Sequence, residues 1–195
     1  MRQGNYLLLI LLVTLCVGCK VRLEPGGLMW SEPVREANDS VYYQEKAETL
    51  VRPLAELARQ RGLEKVSVLN LVNGGGRVSA LGEYFSGRVV EAVNRARLLR
   101  VVERGDVAAV MAGLRLSPAL VYNREELGRL RDALEAQALI TGRITDLGTG
   151  LDVRLTLIDL ATGDLVASAT VNLKRSRFAL EMYRHTPPEA ENRAG

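Results

Sequence analysis

The chain has 195 residues, 47% of them hydrophobic, which is enough for one domain to bury a core of its own. Its 26 basic and 23 acidic residues are interspersed and give a formal net charge of +3, so no charged patch points to nucleic acid as a partner. A single histidine and two cysteines leave little material for a histidine-based catalytic centre or a zinc site.

The N-terminal residues have the pattern of a secretory signal peptide. A short basic start is followed by an apolar run from Tyr6 to Val17, shorter than the roughly 20 residues that span a bilayer. The run ends in Val17-Gly18-Cys19, which resembles the lipobox of bacterial lipoproteins, with Cys16 where that motif usually has leucine. The resemblance implies a signal peptide over 1–18 and acylation of Cys19. A plain secretory signal and an uncleaved anchor are the alternatives.

The segment after the cleavage point is predicted to be a tether. Residues 19–40 contain two prolines and a glycine pair without regular periodicity, which is typical of an extended, flexible linker behind a lipidated N-terminus. Trp30 lies in it and is expected to pack on the domain surface, with contact to a partner or to lipid headgroups as the alternative. The mature chain keeps only one cysteine, which the lipid occupies, so the fold must be stabilised by core burial without disulfides.

Helices and strands alternate over the first part of the domain, which predicts parallel pairing of its strands. Apolar residues at helical spacing predict a helix from Val41, with Leu57 on its inner face, which Pro53 is expected to kink or divide. A β-branched run over 65–72 predicts a strand buried on both faces. The predicted elements that follow are a helix over about 80–97, a strand over 98–103, a short helix capped by Asp106, and a helix that begins at Asn123 with Glu126 in a capping box.

The C-terminal part predicts an antiparallel meander, because three alternating segments are separated by short glycine-containing turns. Inward faces are predicted for Val153, Leu155 and Leu157, and for Leu165, Ala167, Ala169, Val171 and Leu173. The predicted fold is α/β (α+β), with helices packed on a mixed sheet of about five strands. The domain is predicted to span 41–175, followed by a disordered tail over 176–195.

Few residues are candidates for chemistry. His185 falls in the predicted tail, and Asp146, Asp152 and Asp159 near strand ends are expected to form turns or solvated ends more often than a carboxylate site. The loop NGGGR at 73–77 lies where phosphate loops occur but lacks their completing residues, so a flexible turn is the favoured interpretation. Solvated faces are also favoured for the basic set, which is Arg88, Arg95, Arg97, Arg100 and Arg104, over contact with anionic lipid or glycan.

Three stretches of the domain resemble the FlgO-type flagellar outer-membrane lipoproteins: LRVVERGDVAAVMAGLRL, ALITGRI and VRLTLIDLATGDLVASA. The resemblance covers roughly residues 41–175, and the same plan is similar to the wider group of CsgG-type secretion lipoproteins and lipoprotein activators of penicillin-binding proteins. It implies no catalytic residues, and the sequence itself gives no reason to expect a cofactor or a metal. The partners that the resemblance implies are membrane lipid, through acylated Cys19, and envelope proteins such as flagellar components.

Two functional hypotheses follow from the resemblance. The first is a lipid-anchored, non-enzymatic outer-membrane lipoprotein that supports flagellar assembly, stability or motility and faces the periplasm or the cell surface. The second is an envelope lipoprotein that docks on and regulates a partner, such as a peptidoglycan synthase or a secretion complex. A short tether favours the first, because a bridge to the inner membrane usually needs a long linker.

Overall fold

The computed structural model describes residues 39–118 and 121–187. The predicted signal peptide, Cys19, Trp30 and the tether up to residue 38 lie outside the described residues, as do 119–120 and 188–195. Among the described residues, no helix combines the length and the apolar character needed to cross a membrane.

Helices and strands follow one another nearly in the predicted order, with the described residues forming five of each. The helices are α1 (Asp39–Gln60), α2 (Ala80–Ala96), α3 (Arg104–Gly113), α4 (Arg124–Leu134) and α5 (Arg177–Arg184). The strands are β1 (Lys65–Val68), β2 (Arg100–Val101), β3 (Ala138–Asp146), β4 (Gly150–Asp159) and β5 (Leu165–Lys174).

The five strands form one mixed sheet in the order β2-β1-β3-β4-β5. Strand β1 pairs in parallel with β2 and β3, whereas β3, β4 and β5 are antiparallel neighbours. The connections explain the difference, since a parallel return needs a crossover of a dozen or more residues and a hairpin needs only a short turn. The predicted fold class, mixed sheet and C-terminal meander are confirmed.

The hydrophobic core lies on both faces of the sheet. On one face α1, α2 and α5 cover the inward residues of β3 and β4, and Tyr43 packs edge-on against Tyr84 and Phe85. On the other face α3 and α4 cover a smaller cluster that includes Leu139 of β3 and Ile158 of β4. Strand β1 contributes to the first cluster with both valines and also buries Ser67, as expected for a strand enclosed on both sides.

Helix α1 continues through Pro53 as one element of 22 residues, so Pro53 does not divide it into two short helices, and the alternative of a kink stays a prediction. Pro53 lies on the exposed side of the helix, where water can satisfy the carbonyl that the missing N–H leaves free. Leu57, predicted to face inward, is also largely exposed. The first turn of α1 is fastened to the sheet edge, because the Lys174 backbone N–H donates to Tyr42 Oη at 2.8 Å.

Helix α5 occupies residues that the sequence assigned to a disordered tail, so that prediction is wrong for 177–184. Ser176 caps the helix by accepting from the Ala179 N–H at 3.1 Å, and the Ala179 side chain is fully buried. The His185 carbonyl accepts from the Ala80 N–H at 2.9 Å, which fixes the chain against the start of α2. Tertiary contacts order this segment, since a helix of eight residues is marginal by itself.

Smaller differences concern strand and helix ends. Strand β2 is shorter than predicted, and the predicted cap Asp106 lies inside the first turn of α3, for which Glu103 is the N-cap. Leu165 is exposed although predicted inward, because an irregularity beside Leu157 shifts the β4–β5 register and pairs Leu165 with Ile158. The capping box of Asn123 and Glu126 is confirmed.

Replacing Ser86 with alanine is expected to destabilise the domain by about 2 kcal/mol. The buried Ser86 Oγ accepts from the Leu71 N–H at 2.9 Å and donates to the Gly82 carbonyl at 2.6 Å, so its removal leaves a buried donor without an acceptor. Urea denaturation measures the loss. Ser168→Ala is the control, since Ser168 is exposed and water can replace its bond to the Leu155 carbonyl; equal losses in both variants would contradict the explanation.

Candidate functional site

The three candidate aspartates do not form a carboxylate site. Asp146 pairs with Leu151 and Asp152 with Thr145 in the β3–β4 ladder, so their side chains leave opposite faces of the sheet. Asp159 lies at the other end of β4, where its carboxylate accepts from the Ala161 N–H at 2.8 Å and holds a turn. The structure therefore gives Asp159 the turn-forming role that was favoured.

Asp146 closes an ion pair with Arg175 at 3.0 Å and also accepts from the Gly148 N–H at 2.9 Å. The hydrogen bond from Arg175, followed by that from Gly148, holds the pKa of Asp146 below its usual value. The pair joins the end of β3 to the segment before α5. Its role in the structure is to fix the position of that segment.

The lowered pKa predicts how the Asp146–Arg175 pair contributes to stability at different pH values. Because folding favours the charged carboxylate, the contribution is present above the unfolded-state pKa and is lost as pH falls through the folded-state pKa. The melting temperature of the wild type is expected to exceed that of Asp146→Asn at pH 7, and the difference is expected to shrink below about pH 4. A difference that stayed constant down to pH 2 would contradict this account.

The NGGGR loop uses its backbone donors internally. Asn73 Oδ1 accepts from the N–H groups of Gly75 and Arg77, and the Asn73 carbonyl accepts from Gly76 at 3.0 Å. The remaining glycine, Gly74, donates to Tyr183 Oη at 3.4 Å. A phosphate loop needs free N–H groups that point at the ligand. The loop is therefore a turn, as the favoured interpretation predicted. Its internal hydrogen bonds do not agree with the flexibility that this interpretation also assigned to it.

The basic set is mostly engaged with neighbouring side chains. Arg88 binds Glu91 at 2.9 Å and lies over the Tyr84 ring, and Arg95 binds Glu48 at 2.9 Å. The other contacts are Arg100 to Glu64 at 3.6 Å and Arg104 to Asn70 Oδ1 at 2.9 Å, while Arg97 ends α2 in a left-handed conformation. Arg95, Arg97 and Arg100 are exposed, as the favoured interpretation of solvated faces predicts, whereas Arg88 and Arg104 are half-buried.

No group of three or more His, Cys, Asp or Glu side chains within the described ranges is placed to hold a metal ion. A widely open depression of about 600 Å³ lies beside the end of α4. Its polar groups are used locally: Arg131 binds Asp132 at 2.9 Å, and Gln137 accepts from the Glu64 and Lys65 N–H groups. It has the character of a surface groove between elements.

A polar face of the sheet is the feature that the sequence did not single out. Along β4 the buried residues alternate with Asp152, Arg154 and Thr156, which point away from α1 and α2. Strands β3 and β5 add polar residues at the paired positions of the same face. We call this set the open face: Arg143, Thr145, Asp152, Arg154, Thr156, Ser168, Thr170 and Asn172.

The open face differs from the other sheet surfaces in exposure and charge. Arg154, Ser168, Thr170 and Asn172 are exposed, and the other four members are half-buried. Two arginines and one aspartate give the face a net positive charge. A rigid, polar, solvent-facing sheet suits the recognition of another macromolecule, since strands hold their side chains at fixed spacing.

Comparison with known proteins identifies the fold. No protein-family model matches the chain, and no curated protein matches it. The solution structure of LpoB from E. coli is similar with a TM-score of 0.51 and 13% identity, over 66% of this chain and 68% of LpoB. The C-terminal domain of LpoB from Salmonella enterica matches at 15% identity and a TM-score of 0.49, over 66% of this chain and 98% of that domain. The described domain therefore shares the fold of E. coli LpoB.

Proposed function

We propose that this chain is a lipid-anchored, non-enzymatic lipoprotein of the outer membrane that docks on and regulates a protein of the cell envelope. The observation that carries the proposal is the fold shared with E. coli LpoB. Among the groups that the sequence resembles, LpoB belongs with the lipoprotein activators of penicillin-binding proteins. A peptidoglycan synthase is therefore the preferred partner, ahead of a secretion or assembly complex.

The local geometry supports binding over turnover. The candidate polar groups close turns, cap helices or form ion pairs within the domain, as for Asp146 with Arg175 and Asn73 with its own loop. The open face, by contrast, presents polar side chains to the outside on a sheet backed by a large core. Such a face can act by docking alone. The flagellar role implied by the FlgO resemblance has less support from the comparisons than this regulatory role.

Docking on a partner is tested with cross-linking in native membranes, followed by assays with the purified proteins. The full chain is expected to cross-link to a peptidoglycan synthase and to raise the rate of glycan polymerisation by that enzyme. A deletion strain is expected to swim normally. Loss of motility with unchanged cell-wall synthesis would overturn the proposal in favour of the flagellar role.

Anchoring through Cys19 is the second part of the proposal. Each buried acyl methylene contributes ~0.8 kcal/mol, so the two or three chains of a bacterial lipoprotein hold a domain on the membrane essentially permanently. Cys19→Ala is expected to abolish acyl labelling and to move the protein out of the membrane fraction. Cys16→Ala is the matched control and is expected to remain acylated. Equal labelling of the Cys19→Ala variant and the wild type would refute the assignment.

A further inference from the structure

Two arginines of the open face lie directly opposite each other. In the β3–β4 ladder Arg143 pairs with Arg154, and the pair lies between Ile144 and Val153 on one side and Gly142 and Leu155 on the other, which belong to the buried layer. Paired residues of antiparallel strands project from the same face with their Cβ atoms about 4.5–5.5 Å apart. Like charges directly opposite each other are destabilising, so this pair does not contribute to the stability of the sheet.

Neither arginine forms an ion pair with a carboxylate in the described part of the chain. The ion pairs there involve other basic residues, and none joins Arg143 or Arg154 to a carboxylate within 4.0 Å. The Arg143 Nε is buried without a hydrogen-bond partner. Buried donors in native proteins are nearly always satisfied, and an exception calls for an explanation.

Asp152 is the one acidic member of the open face. It precedes Arg154 by two positions on β4 and pairs with Thr145, which places it diagonally across from Arg143. It belongs to no ion pair among those of the described residues, so the two guanidinium groups retain an excess of positive charge next to it. The surrounding members Thr145, Thr156 and Thr170 are neutral hydrogen-bonding residues.

We propose that Arg143 and Arg154 together bind a carboxylate, the side chain of an aspartate or glutamate, on a protein partner; the identity of that partner rests on the proposed function. One carboxylate between two guanidinium groups removes the like-charge repulsion and accepts hydrogen bonds from both forks. Rotation of the half-buried Arg143 side chain towards the partner gives its Nε an acceptor. The proposed docking on an envelope protein makes an acidic protein surface the occupant, and an anionic lipid surface is an outcome of the test.

The carboxylate site is tested first without the partner, with a tetraglutamate peptide as the probe. Titration of the full chain is expected to shift the Nε–Hε resonances of Arg143 and Arg154 saturably. Arg154→Gln and Arg143→Gln are each expected to lower the affinity for the peptide by at least about fivefold. Arg100→Gln is expected to keep that affinity within about twofold of the wild type. Absence of a saturable shift, or an equal loss in the Arg100→Gln control, overturns the proposal. The proposal is also overturned if the Nε–Hε resonances shift with phosphatidylglycerol vesicles and not with the peptide.

Stability and partner binding give two further readouts. Since each single variant removes the like-charge pair, its melting temperature is expected to equal or exceed that of the wild type, so weaker binding does not reflect unfolding. The affinity for the purified synthase is expected to fall at least about tenfold in the same variants. Wild-type affinity in them would overturn docking through this pair. If the wild type binds no synthase, the proposed partner fails, while the peptide titration still decides the carboxylate site.

Discussion

Gly82→Ala is expected to be among the most damaging single substitutions in the domain, with a loss of about 3 kcal/mol in the free energy of unfolding. A Cβ at this position would lie 2.2 Å from the Leu71 carbonyl oxygen and 3.1 Å from its carbon. Neither atom can withdraw easily, because Leu71 is fully buried and its N–H is held by Ser86 Oγ. Helix α2 must therefore move away from the segment after β1.

Gly128→Ala is the matched control for this substitution. Gly128 is also inside a helix, α4, but an added Cβ there meets no atom within 4 Å. Alanine is expected to be neutral or to stabilise the domain by up to about 1 kcal/mol, through the lower entropy of the unfolded chain. Thermal and urea denaturation of both variants measure the contrast. Equal stability of the two variants would show that α2 and the segment after β1 are packed less closely than described.

Phe85→Ala is expected to cost about 4 kcal/mol, because it removes a fully buried ring from the centre of the larger core cluster. The Phe85 ring lies 6.4 Å from that of Tyr43, nearly perpendicular to it, and Tyr43 in turn contacts the rings of Tyr42 and Tyr84. The truncation therefore leaves a cavity and also breaks an edge-to-face contact that joins α1 to α2.

The other phenylalanine of the chain provides the control. Phe178, in the first turn of α5, is 44% exposed, so Phe178→Ala is expected to cost about 1 kcal/mol or less. Urea denaturation of the two variants measures the midpoints, which report the change in stability as long as the m-value stays constant. A larger loss at Phe178 than at Phe85 would mean that α5 contributes more to the core than α1 and α2 do.

Much of the fold was predictable because local patterns and connection lengths decide it. The strands before residue 102 are separated by helices and pair in parallel, whereas the short glycine turns around Gly148 and Gly163 make the last three strands antiparallel. The capping box at Asn123 is likewise a local signal, complete within four residues. Helix α5 was missed because its order depends on distant contacts, such as those of Ala179 and Tyr183 with the core.

The open face could not be predicted for a different reason. Arg143 and Arg154 are unremarkable alternating residues in the sequence, and only the strand register brings them together. If the pairing of β3 with β4 shifted by one residue, one of the two arginines would lie on the opposite face. Turn length alone does not fix the register closely enough to exclude such a shift. The lipid attachment at Cys19 is the opposite case, since its signal is entirely local and remains a prediction from sequence.

Attachment of the Tyr42 hydroxyl to the end of β5 gives the domain a defined path for mechanical load. If the chain is held at Cys19, as proposed, a pull on it enters the described domain at the first turn of α1. The Lys174–Tyr42 hydrogen bond and the buried Tyr43 ring lie in this turn, so both must break or be exposed before α1 can separate from the sheet. The Arg143–Arg154 pair belongs to the β3–β4 ladder, whose backbone pairing does not include α1.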